Sequence, residues 1–269
     1  MFMPTLIPSE RLAPLTSDDD VRYSRTIAVP EIGAEGQERI RAAKVLIVGT
    51  GGLGSAIALY LAAAGVGTIG LVDSDEVEES NLQRQIIHST PDIGRPKTES
   101  GRDSILALNP GVSVITHQVV LTAENALSIH EGYDIIADGT DNFPAKYLLN
   151  DACVFLGKPL VHGSVSGLDG EVTVFDSTKG PCYRCLYPAP PDVMSPSGSG
   201  VLGVVPGLVG ILQATEILKL IVGGADTLIG RLLMVETWNT GFREVTIVKN
   251  PDCPVCGAAP TITAFVAES

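Results

Sequence analysis

An apolar run that ends in a cluster of glycines is the sequence feature that most constrains the fold. Residues 44–49 read KVLIVG, which is typical of a strand buried on both faces of a parallel sheet. An Ala- and Leu-rich segment follows at 53–65 and predicts a helix that stops at a glycine. The next apolar run, TIGLVD at 68–73, predicts a second buried strand. Strand, glycine turn, helix and strand in this order predict a βαβ unit of an α/β fold.

The turn itself, GTGGLG at residues 49–54, fits the pattern G-x-G-x-x-G. Glycines there permit a tight turn and let backbone N–H groups approach a phosphate at the helix N-terminus. Asp73 ends the second strand, where its carboxylate can hydrogen-bond ribose hydroxyls. The pattern predicts a nucleotide site without selecting the nucleotide. The glycines concerned are Gly49, Gly51, Gly52 and Gly54.

Alternation of strands and helices continues along the chain. Further helices are predicted over 94–108, 123–131, 143–157 and 201–222. Further strands are predicted over 112–117, 133–138, 159–164, 170–175, 232–236 and 244–249. We therefore expect a doubly wound, Rossmann-like and mostly parallel sheet with a C-terminal antiparallel extension.

We expect one continuous domain preceded by a short arm. Residues 1–20 end in three aspartates and are predicted to be a flexible arm, and residues 21–269 are predicted to form a single domain. Within it, 21–158 would form the nucleotide-binding half and 159–269 the second half. Residues 186–200 are rich in Pro, Gly and Ser, which predicts a mobile crossover loop.

The charge balance and the apolar segments bear on the class of partner. The chain carries 18 basic and 31 acidic side chains, a net charge of −13. Nucleic-acid binding requires a basic footprint, so we expect no nucleic-acid partner. The apolar segment 201–222 carries Pro206, Gln213, Glu216 and Lys219, which predicts a buried helix with a polar edge rather than a membrane span. Because no signal peptide is predicted either, we expect a cytoplasmic protein.

A polar run follows the second predicted strand. Asp73-Ser74-Asp75 leads to SNLQRQ at 80–85, and Lys97 follows at the start of a later helix. Ser80 is predicted to cap a short helix that carries Asn81 and Arg84 as i, i+3 neighbours. This helix would leave the carboxyl end of the second strand, the edge at which open α/β sheets bind ligands.

A second polar loop, DGTDN at 138–142, follows the strand predicted at 133–138. It lies at the same edge of the sheet, where an acid could bind Mg²⁺ together with phosphate oxygens. One crevice would then collect the glycine turn, Asp73, the cations Arg84 and Lys97, and a magnesium-binding acid. This combination predicts an ATP site.

Four of the five cysteines form two C-x-x-C pairs. The spacing of Cys182 with Cys185, and of Cys253 with Cys256, is that of a tetrahedral Cys₄ zinc site, although free thiols or disulfides are the alternative. A closed Cys₄ site leaves no open coordination position, so we expect structural zinc. Cys153 lies in an apolar segment and is predicted to be a core residue.

Together these motifs resemble one family. RYSRTI (22–27), GTGGLG, DSDEVEESNLQRQ, GRPK (94–97), DGTDNF and the paired C-x-x-C motifs resemble the sulfur-carrier activators. These are bacterial and archaeal relatives of the ubiquitin-activating enzyme that serve molybdopterin and thiamine biosynthesis. The resemblance implies ATP- and Mg²⁺-dependent adenylation of the C-terminal glycine carboxylate of a ubiquitin-like sulfur-carrier protein ending in Gly-Gly.

The resemblance also implies roles for individual residues. The residues expected to act in catalysis are Arg25, Arg84, Lys97 and Asp141, of which Asp141 would bind Mg²⁺. Arg25 would reach across a homodimer to the ATP of the neighbouring subunit. The predicted nucleotide-binding residues are Gly49, Gly51, Gly52, Gly54, Asp73, Asp75, Ser80, Asn81, Leu82, Gln83, Arg84, Lys97, Asp141 and Asn142.

The implied chemistry requires no general base. A glycine carboxylate is already ionised at neutral pH, so it needs alignment with the leaving pyrophosphate and positive charge to offset repulsion between anions. Arginine, lysine and Mg²⁺ would supply that charge. The histidines lie in no assigned motif and are predicted to be structural; they are His88, His117, His130 and His162.

One departure from the family's pattern concerns the crossover loop. Some relatives carry a further cysteine there, whereas no cysteine lies between Cys185 and Cys253 here. No sulfurtransferase-like extension is recognised after Ala259 either. We therefore expect the reaction to stop at the acyl-adenylate, with a separate sulfur donor. The alternatives are a catalytically inactive zinc-stapled carrier-binding scaffold, a nicotinamide-dependent dehydrogenase, and an activator of a carboxylate on tRNA or a peptide.

Overall fold

One sheet of eight strands organises the computed structural model, which describes residues 6–12, 14–189 and 200–265. The strands are β1 (Lys44–Val48), β2 (Thr68–Val72), β3 (Ser113–His117), β4 (Ile135–Asp138), β5 (Leu160–Ser166), β6 (Asp169–Phe175), β7 (Arg231–Glu236) and β8 (Gly241–Thr246). Their order across the sheet is β3-β2-β1-β4-β5-β6-β7-β8. The strands β1 to β5 pair in parallel, and β5 to β8 pair antiparallel. The predicted mostly parallel sheet with an antiparallel C-terminal extension is confirmed.

Helices cover both faces of this sheet. They are α1 (Ser17–Arg22), α2 (Ser24–Ile27), α3 (Gly33–Ala42), α4 (Gly52–Ala64), α5 (Lys97–Leu108), α6 (Ala126–Glu131), α7 (Phe143–Leu156), α8 (Tyr183–Leu186) and α9 (Val204–Val222). Short 3₁₀ helices occur at Ser9–Arg11, Glu79–Asn81 and Thr90–Asp92.

Two apolar cores lie on opposite faces of the sheet, because successive side chains of a strand point to opposite sides. Ile47 faces α4 and α9, where it joins Ile57 and Ile217 in one core. Leu46 belongs to the other core, with Leu149 of α7. Burial on both faces explains why β1 and its neighbours read as continuous apolar runs.

Helix α9 is long and apolar enough by length and composition to cross a membrane, but its environment accounts for its composition. Its apolar side chains pack on α4 and on the sheet, with Val209 and Ile217 fully buried. Of the residues expected to form a polar edge, Pro206, Gln213 and Glu216 are buried, and Lys219 is half-buried. Gln213 donates to the carbonyl oxygens of Asp138 and Val161, at 2.9 and 3.1 Å. The helix is therefore a core element of this fold.

The described part of the N-terminal segment packs on the domain. Ile7 is fully buried, and the Arg11 guanidinium lies 2.9 Å from a carboxylate oxygen of Asp134. Thr16 caps α1 through the backbone N–H of Asp19. Residues 6–12 and 14–20 thus make contacts with residues far along the chain, and the flexible arm over 1–20 stays a prediction.

Several element boundaries differ by one to three residues from those predicted. The helix predicted from 94 begins at Lys97, because Gly94 adopts a positive φ of 82° and Pro96 precedes the first turn. The strand predicted at 244–249 lies at Gly241–Thr246. Of the predicted crossover loop 186–200, residues 190–199 lie outside the described residues.

Candidate functional site

The glycine turn and the DGTDN loop meet at the carboxyl edge of the sheet. Gly49 follows β1 with a φ of 89°, and Gly139 follows the neighbouring strand β4. A β-carbon at Gly139 would lie 2.4 Å from the carbonyl oxygen of Gly49, closer than any side chain tolerates. In the sheet, β2 and β3 lie on one side of β1 and β4 lies on its other side. The gap between β1 and β4 is therefore the switch point, the place at which open α/β sheets bind ligands.

Asp73 lies directly beside the glycine turn, as predicted from its place at the end of β2. One of its oxygens accepts hydrogen bonds from the backbone N–H and the hydroxyl of Thr50, at 2.8 and 2.9 Å. The other accepts from the backbone N–H of Asp75 at 2.9 Å. Each carboxylate oxygen has a second lone pair, so Asp73 retains acceptor capacity for hydroxyl groups.

Lys97 and Asp75 form an ion pair at the same edge. The ammonium group lies 3.0 Å from a carboxylate oxygen of Asp75, and the Lys97 side chain is only 8% exposed. The backbone N–H of Lys97 also donates to the Asp75 carbonyl oxygen at 2.9 Å. The first turn of α5 is thereby fixed against the loop that follows β2, which places Lys97 near Asp73.

The segment 78–85 returns toward the glycine turn, but its cap differs from the prediction. The 3₁₀ helix Glu79–Asn81 is capped by Glu78 and Asn81, which bond each other's backbone N–H groups. Ser80 lies inside the helix, and its hydroxyl donates to the Glu78 carboxylate at 3.2 Å. The prediction that Ser80 caps this helix is therefore wrong, because the Glu78 carboxylate is already in the capping position.

Arg84 is nevertheless brought to the crevice. Its guanidinium donates to the Ser80 carbonyl oxygen at 3.2 Å. Its Cγ lies 3.6 Å from the position that a β-carbon on Gly52 would occupy. Gln83 packs on the start of α9, where a β-carbon on Gly203 would lie 2.1 Å from the Gln83 carbonyl oxygen. The segment is thus held between the glycine turn and α9.

Asp141 and Asn142 occupy the exposed end of the loop after β4. The Asn142 side-chain oxygen caps α7 by accepting from the backbone N–H of Ala145 at 3.0 Å. The amide nitrogen of Asn142 lies 3.5 Å from one oxygen of Asp141. Asp141 therefore presents its carboxylate to solvent at the switch point, beside the N-terminus of a helix.

Asp138, in contrast, is fully buried and already engaged. It contacts the ammonium group of Lys146 at 2.9 Å and the imidazole of His162 at 2.7 Å, and it accepts from Thr140. Burial alone would raise the pKa of Asp138, but the charge of Lys146 and the bond from His162 hold it well below its ordinary value. The sequence motif covered Asp138, but no pattern indicated Lys146 or His162 as its partners.

His88 is buried and contacts the backbone of the glycine turn at Thr50. Its ring nitrogens lie 3.1 Å from the Thr50 carbonyl oxygen and 2.8 Å from the Ser100 hydroxyl. Burial lowers the pKa of His88 below its ordinary value, so the neutral ring donates to Thr50 and accepts from Ser100. The structural role predicted for His88 therefore includes fixing Thr50 beside Asp73.

Arg25 is not brought to the crevice of its own chain. It is exposed on α2, next to Tyr23. The Tyr23 hydroxyl accepts from Asn109 at 2.8 Å, and its ring lies 2.4 Å from the position of a β-carbon on Gly65. Gly65 ends α4, whose 13 residues begin at the glycine turn. At 1.5 Å per residue, Arg25 lies at the far end of a helix about 20 Å long.

The four paired cysteines converge in three dimensions. The sulfur of Cys182 lies 3.9 Å from that of Cys185 and 3.6 Å from that of Cys253, and Cys185 lies 3.5 Å from Cys256. Four thiolates at 2.3 Å from a tetrahedral metal are separated by about 3.8 Å, so the spacing fits such an ion. The backbone N–H of Asn250 also lies 3.4 Å from the Cys185 sulfur. This cluster could bind a metal ion.

Comparison with known proteins identifies the family. The pattern of the ThiF family matches residues 23–255. The chain belongs to the ThiF family. The sulfur carrier protein adenylyltransferase of Thermus thermophilus is 48% identical over 254 residues, which cover 91% of this chain and 94% of that protein. The resemblance inferred from the motifs is thereby confirmed.

A longer relative is matched over part of its length. The adenylyltransferase and sulfurtransferase MOCS3 of Drosophila yakuba is 49% identical over 256 residues, which cover 94% of this chain and 56% of that protein. This ThiF-family chain thus spans little more than half of the Drosophila relative.

Among solved structures, a crystal structure of E. coli MccB with ATP has a TM-score of 0.79 at 25% identity, covering 93% of this chain and 77% of that one. Another, of MccB with MccA-N7isoASN, has a TM-score of 0.78 at 23% identity, covers 93% of this chain and 77% of that one, and shows the shared fold.

Proposed function

We propose that this ThiF-family chain adenylates the C-terminal glycine carboxylate of a ubiquitin-like sulfur-carrier protein, using ATP and Mg²⁺. The products would be an acyl-adenylate and pyrophosphate. The proposal rests above all on one observation at the switch point of the sheet: Asp73 and Arg84 lie against the glycine turn, and the loop that carries Asp141 approaches the turn at Gly139. Lys97 is held nearby by its ion pair with Asp75. The names of the similar proteins from Thermus and Drosophila agree with this activity.

The chemistry follows from the charges in the crevice. An ionised carboxylate attacks the α-phosphate of ATP, so two anions must approach each other and a third, pyrophosphate, must leave. Lys97 and Arg84 would offset this repulsion, and N–H groups of the glycine turn would bind phosphate oxygens. Asp73 would orient the nucleotide through its ribose hydroxyls. Lys97 would exchange part of its contact with Asp75 for a phosphate, which is a stronger anionic partner.

Asp141 is the acid that best fits a magnesium ion. Asp138 is surrounded by Lys146, His162 and Thr140, and Asp73 is engaged by Thr50. Asp141 is exposed, and among the described residues its side chain makes one contact, at 3.5 Å with Asn142. Mg²⁺ is commonly bound by one or two carboxylates together with phosphate oxygens and water. When bound, the ion would neutralise charge on the transferring phosphate.

The fate of the adenylate follows from the cysteines. Four of the five lie in the cluster, and Cys153 is 2% exposed. Burial raises the pKa of the Cys153 thiol well above its ordinary value, so that thiol is a poor nucleophile. We therefore propose that the acyl-adenylate receives sulfur from a separate donor and not from a cysteine of this sequence.

The cysteine cluster is proposed to hold structural zinc. Its sulfur spacing suits a closed tetrahedral site, and no ligand position would remain for a substrate. Arg25 is proposed to complete the active site of a second subunit, because it is exposed and remote from the crevice of its own chain.

The test is ATP–pyrophosphate exchange with purified carrier proteins that end in Gly-Gly. Exchange should depend on one such carrier, on its last glycine and on Mg²⁺. Asp141→Asn should abolish it, whereas Asp18→Asn, an exposed acid on α1, should leave it unchanged. A thioester between the carrier and this chain, detected without reductant, would contradict the proposed end point.

The alternative functions predict other outcomes. A non-enzymatic scaffold would bind a carrier without exchanging pyrophosphate, even when loaded with zinc and ATP. A dehydrogenase would bind NADH and lack carrier-dependent exchange. Nothing in the crevice favours the dehydrogenase, since that activity assigns no role to Lys97, Arg84 or Asp141.

A further inference from the structure

Below the exposed DGTDN loop lies a chain of buried polar contacts that the proposed reaction does not use. We call it the Asp138 network, and it consists of Asp138, Lys146, His162, Glu171 and Tyr187. Asp138 and His162 are 0% and 1% exposed, and Lys146 is 4% exposed. Buried charges are costly unless they are paired, so the chain must satisfy them internally.

The first part of the network fixes the backbone just before Asp141. One oxygen of Asp138 accepts from the backbone N–H and hydroxyl of Thr140, at 3.0 and 2.6 Å. The ammonium group of Lys146 donates to the Thr140 carbonyl oxygen, to the Gly163 carbonyl oxygen and to Asp138, at 3.0, 3.0 and 2.9 Å. Every polar group of Thr140 is therefore held, and Thr140 is bonded directly to Asp141 in the chain.

His162 carries this restraint across to the antiparallel strands. Its Nδ1 lies 2.7 Å from the other oxygen of Asp138, and its Nε2 lies 3.5 Å from the Glu171 carboxylate on β6. A carboxylate only accepts, so Nδ1 must donate to Asp138, and Nε2 must also carry a proton for the contact with Glu171 to be a hydrogen bond. The ring is enclosed by Phe175 and Tyr183, whose ring centres lie 5.6 and 5.3 Å away.

The last part of the network reaches the cysteine-bearing helix. The Tyr187 hydroxyl lies 3.1 Å from both oxygens of Glu171. Tyr187 immediately follows α8, which begins directly after Cys182 and contains Cys185. Burial alone would raise the pKa of Glu171, but the bond and charge of His162 hold it below its ordinary value, so Glu171 remains an acceptor for Tyr187.

We propose that His162 and Glu171 are positioning residues, which transmit the position of α8 and Tyr187 to the loop that presents Asp141. The inference rests on the proposed function, because it concerns the Mg²⁺-dependent part of ATP binding. Stability alone does not require such a chain, since apolar residues of similar volume can replace a buried ionic network without loss. An ionic chain differs in fixing one geometry, which a magnesium-binding carboxylate requires.

The test compares ATP binding with and without Mg²⁺. His162→Gln and Glu171→Gln should weaken binding of Mg–ATP by on the order of 3- to 30-fold, the range of coupling through packed networks. Binding of ATP in Mg²⁺-free buffer without a chelator, which leaves the cysteine cluster loaded, should change less than about twofold, because that state makes no use of Asp141. Calorimetry gives both dissociation constants. Equal weakening in both conditions, or no weakening in either, would overturn the inference.

Control variants separate positioning from loss of stability. Thr173→Val removes a buried hydroxyl from the same strand, bonded to the carbonyl oxygens of Leu228 and Arg231 and not to the network. It should lower stability without changing Mg–ATP binding. Tyr187→Phe keeps the aromatic packing and removes one hydroxyl, so it remains informative if the charged variants fail to fold.

Two further outcomes distinguish this inference from the proposed function. The double variant His162→Gln/Glu171→Gln should bind Mg–ATP about as weakly as either single variant, because both interrupt one chain. Additive losses would contradict a shared route. If the wild-type protein binds Mg–ATP but exchanges no pyrophosphate with any carrier, the proposed function is refuted. The binding measurements on the variants would then still decide whether His162 and Glu171 are positioning residues. Failure to bind Mg–ATP at all would refute both.

Discussion

His130 should make the stability of the protein depend on pH. The side chain lies in α6 and is fully buried, and within the described residues neither ring nitrogen has a hydrogen-bond partner. Burial lowers the pKa of His130 from 6.5 to about 4; a contact with the backbone of Ala126 opposes this shift, and the charge of nearby Lys158 adds to it. The unfolded chain therefore binds a proton at a higher pH than the folded chain does.

The sign and size of the effect follow from this difference. The contribution of the neutral ring is fully present above pH 6.5 and is lost as the pH falls toward the folded pKa of about 4. The full loss corresponds to about 3 kcal/mol, since one pKa unit is 1.36 kcal/mol. Between pH 7.5 and 5.5 the same linkage predicts a loss of about 1 kcal/mol in the free energy of unfolding.

The assay is urea unfolding of the wild type and of His130→Leu at both pH values. His130→Leu fills a similar volume without a titrating group, so its free energy of unfolding should fall by about 1 kcal/mol less than that of the wild type. Comparison of two proteins cancels contributions from other groups, including His88 and the cysteine cluster. Equal pH dependence in both proteins would refute the assignment.

His117 offers a matched control for the same experiment. It is half-buried, its pKa is lowered by burial, and its ring bonds the Tyr133 hydroxyl at 3.0 Å. Replacement by Gln keeps a polar partner for Tyr133, and it should change the pH dependence less than His130→Leu does.

Three other predictions concern the switch point, the metal and the assembly. Gly139→Ala should destabilise the fold by roughly 1–3 kcal/mol, because its β-carbon would lie 2.4 Å from the Gly49 carbonyl oxygen. The control Gly132→Ala places its β-carbon in open space and should be neutral, and urea unfolding measures both variants. Elemental analysis of Cys253→Ser should find well below one zinc ion per chain, whereas Cys153→Ala should keep its zinc. Full occupancy in Cys253→Ser would rule out this ligand set. If Arg25 serves a neighbouring subunit, mixing inactive Arg25→Ala and Asp141→Ala proteins should restore about a quarter of wild-type exchange, as random two-fold dimers place both substitutions in one site. No recovery after subunit exchange would place Arg25 in its own site.

The central part of the fold was predictable because its signals are local. The runs at β1 and β2 are buried on both faces, and the glycine turn between them has one structural interpretation. Strand β8 was displaced by three residues from its prediction, because most of its side chains are exposed and give no alternation of apolar and polar positions. The contacts of the N-terminal segment could not be predicted for another reason. Ile7 and Arg11 contact residues far along the chain, and no local pattern encodes such a contact.

The candidate site likewise has features that local sequence signals predicted and features that depend on contacts between distant residues. Asp73 and Arg84 lie at the glycine turn and Lys97 pairs with Asp75, and all three could be singled out from the sequence because each follows a recognisable strand end or helix start. The cap at residue 78 was missed since Glu78 and Ser80 are both credible capping residues, and only the backbone geometry decides between them. The carboxylate of Asp138 is bonded by residues of the DGTDN loop, α7 and β5, so their convergence required the three-dimensional structure.

The pairing of the two C-x-x-C motifs also bears on the synthesis of the chain. Roughly 70 residues separate the motifs, and the intervening segment includes α9, which covers the apolar face of α4. Chains emerge from the ribosome N-terminal end first, so the apolar face of α4 stays exposed until α9 has been synthesised and packs on it. The cysteine cluster can form only after Cys256 has been synthesised. Metal capture would then mark the end of this process, and chains interrupted before that residue would remain open to proteases.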